Sequence, residues 1–249
     1  MEERFTLYDI LGYLIPGAIS FFIFLKFINI FGLQIIDISI FKTWFGVALL
    51  IVLSYLVGHL IQWLTKYACD CAPIKNRWYV SSYYLRDDNK HYSPTYKKNL
   101  RKWISDYFEM GNKLEEAIKT PKHENSRKII KESFDLTYTF LVQNKAAVFV
   151  EIFFALFGFC RGMFVVSIIG TFIELAGIAL ICSYPYLPNA TEYIKNIPHL
   201  NLSIILLLVF LASAVGFFNR AEKFSGSYVD YVYRSFYTYI SKKDNEVTP

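Results

Sequence analysis

Ionisable side chains interrupt two otherwise apolar stretches of this sequence. Lys26 lies in a stretch of aliphatic and aromatic residues, and Glu174 lies in a similar stretch far along the chain. Charge at membrane depth is costly unless it has a partner or faces a water-filled path. An ammonium and a carboxylate at similar depth therefore predict an intramembrane ion pair or the lining of a pore. In the alternative interpretation, Lys26 extends to the outer headgroups and Glu174 points into a helix bundle.

Five other polar or helix-breaking positions lie in or beside apolar stretches. His59 and Gln62 are nearly one helical turn apart, and such side chains commonly hydrogen-bond between membrane helices, with a proton relay or pore lining as the alternative. Pro16 and Gly17 interrupt the backbone ladder of their stretch and predict a kink or hinge. Arg161 precedes a long apolar run and is predicted to anchor a membrane interface.

Basic side chains alternate with aromatic rings in the middle of the chain. Cations neutralise phosphates and ring faces stack on bases, so this composition predicts contacts with a nucleotide or an oligonucleotide. The anionic headgroups of membrane lipids are an equally good partner for a basic patch beside a bilayer. The candidate residues are Arg77, Tyr83, Tyr84, Arg86, Lys97, Lys98, Arg101, Lys102 and Trp103.

Motifs of the common enzyme classes do not occur in this sequence, which has no HExxH, Walker, GxSxG or GxGxxG pattern. Cys69 and Cys71 could be combined with His91 and His123, but their spacing is not that of a zinc site. We therefore expect a protein that is not an enzyme and that has no metal and no cofactor.

Four apolar stretches must position these residues, and each is long enough to cross about 30 Å of hydrocarbon as a helix. They are Ile10–Phe31, Trp44–Leu64, Met163–Tyr184 and Leu202–Phe218. Apolar residues make up 54% of the chain, which is more than a typical soluble domain contains. The predicted fold is an all-α membrane protein with four transmembrane helices and a small, mainly helical cytoplasmic domain inserted between the second and third.

The distribution of positive charge orients these spans. Between Lys66 and Lys131 there are 15 Lys and Arg residues, whereas residues 32–43 and 185–201 contain one lysine each. Because cytoplasmic loops are enriched in Lys and Arg, the large insert and both termini are predicted to be cytoplasmic. The predicted parts are a first transmembrane pair (1–65), the cytoplasmic domain (66–145), a second pair with a long helix leading into it (146–218) and an aromatic tail helix (219–249).

Residues 95–110 have the periodicity of an amphipathic helix, with apolar side chains on one face and Lys97, Lys98, Arg101 and Lys102 on the opposite, solvent-facing side. The stretch Arg77–Tyr96 alternates enough to predict a short strand or hairpin. A helix beginning near Ser126 is predicted to continue without a break to Met163. The tail helix is too aromatic to remain in solvent and should pack on that long helix or on a neighbouring subunit.

The N-terminal run from Phe5 to Gly17, the basic insert and the aromatic tail resemble the small four-span membrane effectors of bacterial anti-phage defence systems. The layout is most similar to the membrane subunit of Hailong systems, which is partnered with a soluble nucleotidyltransferase. The resemblance implies a homo-oligomeric channel of the bacterial inner membrane, kept shut by a nucleic-acid product of the partner enzyme and opened on infection. It assigns no individual binding residue.

Two classes of function remain open. The first is an oligomeric gated ion channel that is controlled through its basic domain by a nucleotide or nucleic-acid ligand. Four spans are too few to enclose a wide pathway alone, so assembly is expected, with a tetramer as the first guess. The second is a non-conducting membrane anchor that recruits a soluble partner. A transporter is disfavoured because the sequence has no inverted repeat.

Overall fold

The computed structural model describes residues 6–30, 41–70, 74, 77–78, 84–120, 123–183 and 200–247. All regular structure in these ranges is helical, as the sequence predicts. The strand expected within Arg77–Tyr96 is not found in the described part of that stretch, although residues 79–83 lie outside the described ranges.

The chain begins its described part with a π-helix, Asp9–Leu14, that leads directly into the first α-helix. The α-helices are α1 (Ile15–Ile30), α2 (Trp44–Asp70), α3 (Pro94–Tyr107), α4 (Lys113–Lys119), α5 (Glu124–Gln143), α6 (Val148–Ser183) and α7 (Leu200–Val247). Four helical segments are long and apolar enough to cross a membrane: Asp9–Ile28, Trp44–Cys69, Val148–Ser183 and Leu200–Lys243. The prediction of four helices able to span a membrane is confirmed.

The predicted unbroken helix from Ser126 to Met163 is wrong, because α5 ends at Gln143 and α6 begins at Val148. Lys145 adopts a left-handed conformation with φ of 55°. The Ala146 N–H then donates to Leu141 O at 2.9 Å, and the Lys145 N–H donates to a second helical carbonyl. This is the hydrogen-bond pattern of a Schellman motif, which terminates α5.

The chain folds into two compact units. The first contains Met1–Cys71 and Ala155–Ala221, and the second contains Ala72–Phe154 and Glu222–Pro249. The tail that the sequence separates as its own part therefore shares one unit with most of the insert. Its aromatic residues pack on α5, since Phe134 lies 5.7 Å from Tyr233 and Phe140 lies 5.5 Å from Phe236, both between ring centroids.

The first unit has a very close crossing between α1 and α2. A Cβ atom added to Gly17 would lie 1.8 Å from Ser54 O, and one added to Gly58 would lie 2.1 Å from Tyr13 O. The two backbones therefore touch without side chains between them, as small residues allow in membrane helix pairs. Pro16 is the second residue of α1, directly after the π-helix, and the predicted kink or hinge at this point stays a prediction.

Candidate functional site

Lys26 of α1 and Glu174 of α6 meet in the first unit. The Lys26 ammonium donates a hydrogen bond to Glu174 Oε1 and forms an ion pair with that carboxylate. The Glu174 side chain is 2% exposed and that of Lys26 is 28% exposed. The structure thus forms the pair that the sequence predicts, and Lys26 does not extend away from Glu174 as the alternative interpretation requires.

An apolar cluster of α1, α2, α6 and α7 includes residues that are close to both partners along the chain. Ile23 and Val166 are buried in one cluster, and Ile169, Ile173 and Phe210 pack against it. Such surroundings strengthen the attraction between opposite charges, but they also make the removal of both charges from water expensive. Each partner therefore depends on the other to neutralise its charge.

Glu174 has a second oxygen that is not used by the pair. Oε2 is buried and has no hydrogen-bond partner among the described residues. The nearest polar residue one turn earlier, Thr171, donates its hydroxyl to Ser167 O at 2.9 Å. A buried acceptor without a donor costs free energy. The site therefore keeps one carboxylate oxygen without a donor.

Gln62 of α2 joins the π-helix to α6. Its Nε2 donates to Gly12 O at 2.7 Å and to Gly158 O at 3.1 Å. Pro16 has no N–H to offer to the carbonyl of Gly12, four residues earlier, so Gln62 supplies a donor from another helix. Its Oε1 accepts a hydrogen bond from Arg161 Nη2 at 3.3 Å. The helix-packing interpretation of Gln62 accounts for all of these contacts.

The pore candidate His59 and the predicted interface anchor Arg161 also lie beside this junction. The His59 ring stacks on Tyr13 with 4.1 Å between centroids. The Arg161 guanidinium lies 5.0 Å from the centre of the Phe157 ring. Gly12, which Gln62 contacts, is 14 residues before Lys26, or about 21 Å along a helix. The four pore candidates thus form two separate groups, and the role of Arg161 as an interface anchor stays a prediction.

In the second unit, Lys97 is not on the solvent face where the sequence analysis puts it. It is 4% exposed, and its Nζ donates to the carbonyl oxygens of Arg86, Asp87 and Asn89 at 3.0, 3.0 and 2.8 Å. All three ammonium donors are occupied. The prediction that Lys97 contacts a phosphate is wrong, because the side chain holds the loop before α3.

Arg101 is buried in the same way, one turn further along α3. It is 6% exposed, and it donates to Leu85 O and, at 2.7 Å, to Asp87 Oδ1. Its predicted role as a phosphate contact is also wrong. Both residues face the core side of α3 because their long side chains satisfy carbonyl groups that no helix ladder pairs.

The remaining basic and aromatic candidates are dispersed. Arg77 pairs with Glu222 at 3.0 Å, and Arg86 pairs with Asp88 at 2.6 Å. Carboxylates therefore already neutralise these two guanidinium groups. The side chains of Lys98 and Lys102 are exposed, and Tyr83 lies outside the described residues.

The two described aromatic candidates serve as packing residues. Trp103 lies against Tyr237 with 4.5 Å between ring centroids. Tyr84 contacts His91 and Tyr92 at 4.9 and 5.8 Å. Since these rings are engaged with other rings of the second unit, a platform for stacking bases is not formed from them.

Asp230 of α7 is a polar centre that the sequence analysis did not single out. Its Oδ1 accepts hydrogen bonds from Tyr92 Oη at 2.6 Å and Arg234 Nε at 2.9 Å, and it lies 3.0 Å from His91 Nε2. Burial and the hydrogen bond to Asp230 raise the pKa of the Tyr92 hydroxyl. The spacing of Asp230 and Arg234, four residues apart on a helix, is the only signal in the sequence that points to this cluster.

Comparison with known proteins assigns no family. The chain matches no protein-family model, no curated protein and no solved structure. What the protein does has to be inferred from its own residues.

Proposed function

We propose that the protein is an oligomeric membrane effector that forms a gated ion channel, and that the Lys26–Glu174 pair closes its pathway. The observation that carries this proposal is the pair itself, which lies in two helices able to span a membrane. Ionisable residues at membrane depth commonly mark ion paths and gates.

Stability alone gives a weak reason to keep such a pair. Replacing a buried ion pair with well-packed apolar residues is often neutral or stabilising, because the desolvation cost offsets the attraction. Apolar neighbours such as Ile173 and Ile23 are already present beside the pair. A charged contact in that place supports a role in which the pair forms and breaks.

The uncovered apolar surface of the spans supports assembly. Only 6% of the most apolar window of α7 is buried, and side chains such as Leu208 and Val215 are exposed along it. Lipid and neighbouring subunits are the two means of covering such a surface in a bilayer. Because four spans are too few to enclose a wide pathway, we propose that copies of this chain assemble around it, with a tetramer as the first guess.

The second unit is proposed as a cytoplasmic regulatory domain in the bacterial inner membrane. The positive charge of the insert supports that side of the membrane. Lys97 and Arg101 are engaged internally. The exposed Lys98 and Lys102 therefore remain as the proposed contacts for a controlling nucleotide or oligonucleotide. A role in anti-phage defence rests on the resemblance of the sequence layout to that of the small membrane effectors of bacterial defence systems.

The direct test is ion flux from liposomes that contain the purified protein. If the pair closes the pathway, Glu174→Gln should increase flux over wild type, because Lys26 loses its charged partner. Glu151→Gln, at an exposed position on the same helix, is the matched control and should leave flux unchanged. Inserted, folded protein without flux in any of the three forms would contradict the channel and favour a non-conducting anchor.

A further inference from the structure

We propose that Glu174 is a proton-binding site, at which a proton added to Oε2 releases Lys26 from the pair. This inference rests on the proposed function, since it names the signal that breaks the closing contact. Proton binding itself requires no conduction, so the two are separable by experiment.

The geometry of the carboxylate carries the proposal. Lys26 uses Oε1, whereas Oε2 is buried and has no partner among the described residues. A proton from water forms an O–H bond at Oε2 and converts the carboxylate to a neutral carboxyl group. Lys26 keeps its own proton and its charge. Because a neutral carboxyl attracts the ammonium less, the partly exposed Lys26 is then able to extend towards water.

A proton fits this site better than a metal ion does. Metal cations such as Na⁺, Ca²⁺ or Mg²⁺ need several oxygen ligands around them. The described residues include no group of three His, Cys, Asp or Glu side chains that could hold one. A proton needs only one oxygen, Glu174 Oε2. Aliphatic residues of the nearby cluster, such as Ile173 and Ile169, have no oxygen ligand to offer a metal ion.

In the part of the chain that the structure describes, few other titratable groups lie along the spans near Glu174, with Lys42 just before α2 as one further cation. From α1 it meets Lys26. Residues 44–54 of α2 and 200–212 of α7, the ends that lie on the same side of the spans, contain no ionisable side chain. On α6 itself the next titratable residue towards that side is the exposed Cys182, about 12 Å further along the helix. Proton binding at this depth is therefore assigned to Glu174.

The test is infrared difference spectroscopy of the full-length protein in liposomes as the pH is lowered. All 21 Asp and Glu residues can contribute carboxyl carbonyl bands in acid, so the Glu174 signal is the part of the wild-type difference spectrum that is missing in Glu174→Gln and retained in Glu151→Gln. Lys26→Met removes the ammonium that the proton is proposed to release, so acid should not increase ion flux in this variant.

Ion flux measured on the same liposomes separates the two proposals. Acid-induced flux in wild type, together with pH-independent flux in Glu174→Gln, would support both. A Glu174 band without flux would support the proton site and contradict the channel. A channel whose flux is unaffected by acid, with no band that depends on Glu174, would overturn the proton site alone. If Glu174→Gln does not fold, acid-induced flux in Lys26→Met as large as in wild type would overturn it, because that variant has no ammonium to release.

Discussion

Lys97 and Lys98 are adjacent on α3, yet their surroundings are opposite. The ammonium of Lys97 is buried against three loop carbonyls, while the side chain of Lys98 is exposed. Hydrophobic periodicity predicts one basic surface for both lysines, because it assigns every cation to the polar face of a helix. A long side chain that reaches unpaired carbonyls overrides that rule. The loop, and not the periodicity of the helix, therefore determines which of the two lysines is buried.

We expect Lys97→Met to lower the free energy of unfolding of the second unit by about 2–3 kcal/mol. Methionine keeps most of the side-chain volume but leaves buried carbonyl oxygens without a charged donor. Lys98→Met is the matched control and should change stability by no more than about 0.5 kcal/mol. Denaturation of the full-length protein in detergent measures both. Equal effects of the two substitutions would contradict the structural role of Lys97.

Buried tyrosines give the second unit a predictable response to alkaline pH. Burial raises the pKa of the Tyr233 and Tyr228 hydroxyls above that of about 10 for an exposed tyrosine. The folded state therefore binds these protons more tightly than the unfolded state. The resulting stability is fully present below about pH 10 and is lost as pH rises through the raised pKa.

The unfolding free energy should accordingly fall as the pH is raised above about 10. Tyr233→Phe should reduce that slope by as much as about 1.4 kcal/mol per pH unit, the value for one proton. Denaturation in detergent at a series of alkaline pH values measures the slope. A Tyr233→Phe variant with the wild-type slope would show that this hydroxyl ionises as readily in the folded protein as in the unfolded chain.

At the level of helices, hydropathy and length predict the four membrane segments. The hydrocarbon core of a bilayer requires apolar residues, and its thickness sets the number of residues in a spanning helix. The break between α5 and α6 is not predicted, since the left-handed position is occupied by Lys145 instead of the glycine that usually marks such an end. The hydrogen bond from Gln62 to Gly12, in contrast, has a signal in the sequence. Pro16 stands four residues after Gly12 and leaves that carbonyl in need of another donor.

The crossing of α1 and α2 gives a prediction for glycine substitutions. Gly17→Ala should destabilise the first unit by about 1–3 kcal/mol, because its methyl group would collide with the Ser54 carbonyl and force the helices apart. Gly216→Ala is the matched control. No atom lies within 4 Å of a Cβ built there, so the change should be neutral or stabilise α7 by up to about 1 kcal/mol.

Thermal denaturation of both variants in the same detergent provides the comparison. A Gly17→Ala protein as stable as wild type would mean that the two backbones are not in contact at this crossing.

At the level of the whole molecule, charge distribution and hydrophobic length predict an all-helical chain with four spans. They do not predict that residues 222–249 share a compact unit with residues 72–154. That association depends on aromatic contacts between positions more than 90 residues apart, such as Phe140 with Phe236. Periodicity within one helix carries no information about such a partner.

The predicted orientation is tested by thiol labelling of intact cells. With the native cysteines replaced, a single cysteine at Asn112 should resist an impermeant reagent because the positive-inside rule puts this part of the chain in the cytoplasm. A single cysteine at Asn189, which lies outside the described residues, should react. Labelling at Asn112 without lysis would contradict the proposed orientation.

The central claim, that the Lys26–Glu174 pair closes an ion pathway, is tested most directly by exchanging the two charges. Ion flux from liposomes is measured for wild type, Lys26→Glu, Glu174→Lys and the double variant. Flux should be high in both single variants and should return towards the wild-type level in the double variant, because the opposite charges again form a pair. Single variants whose effects simply add in the double variant would contradict that claim.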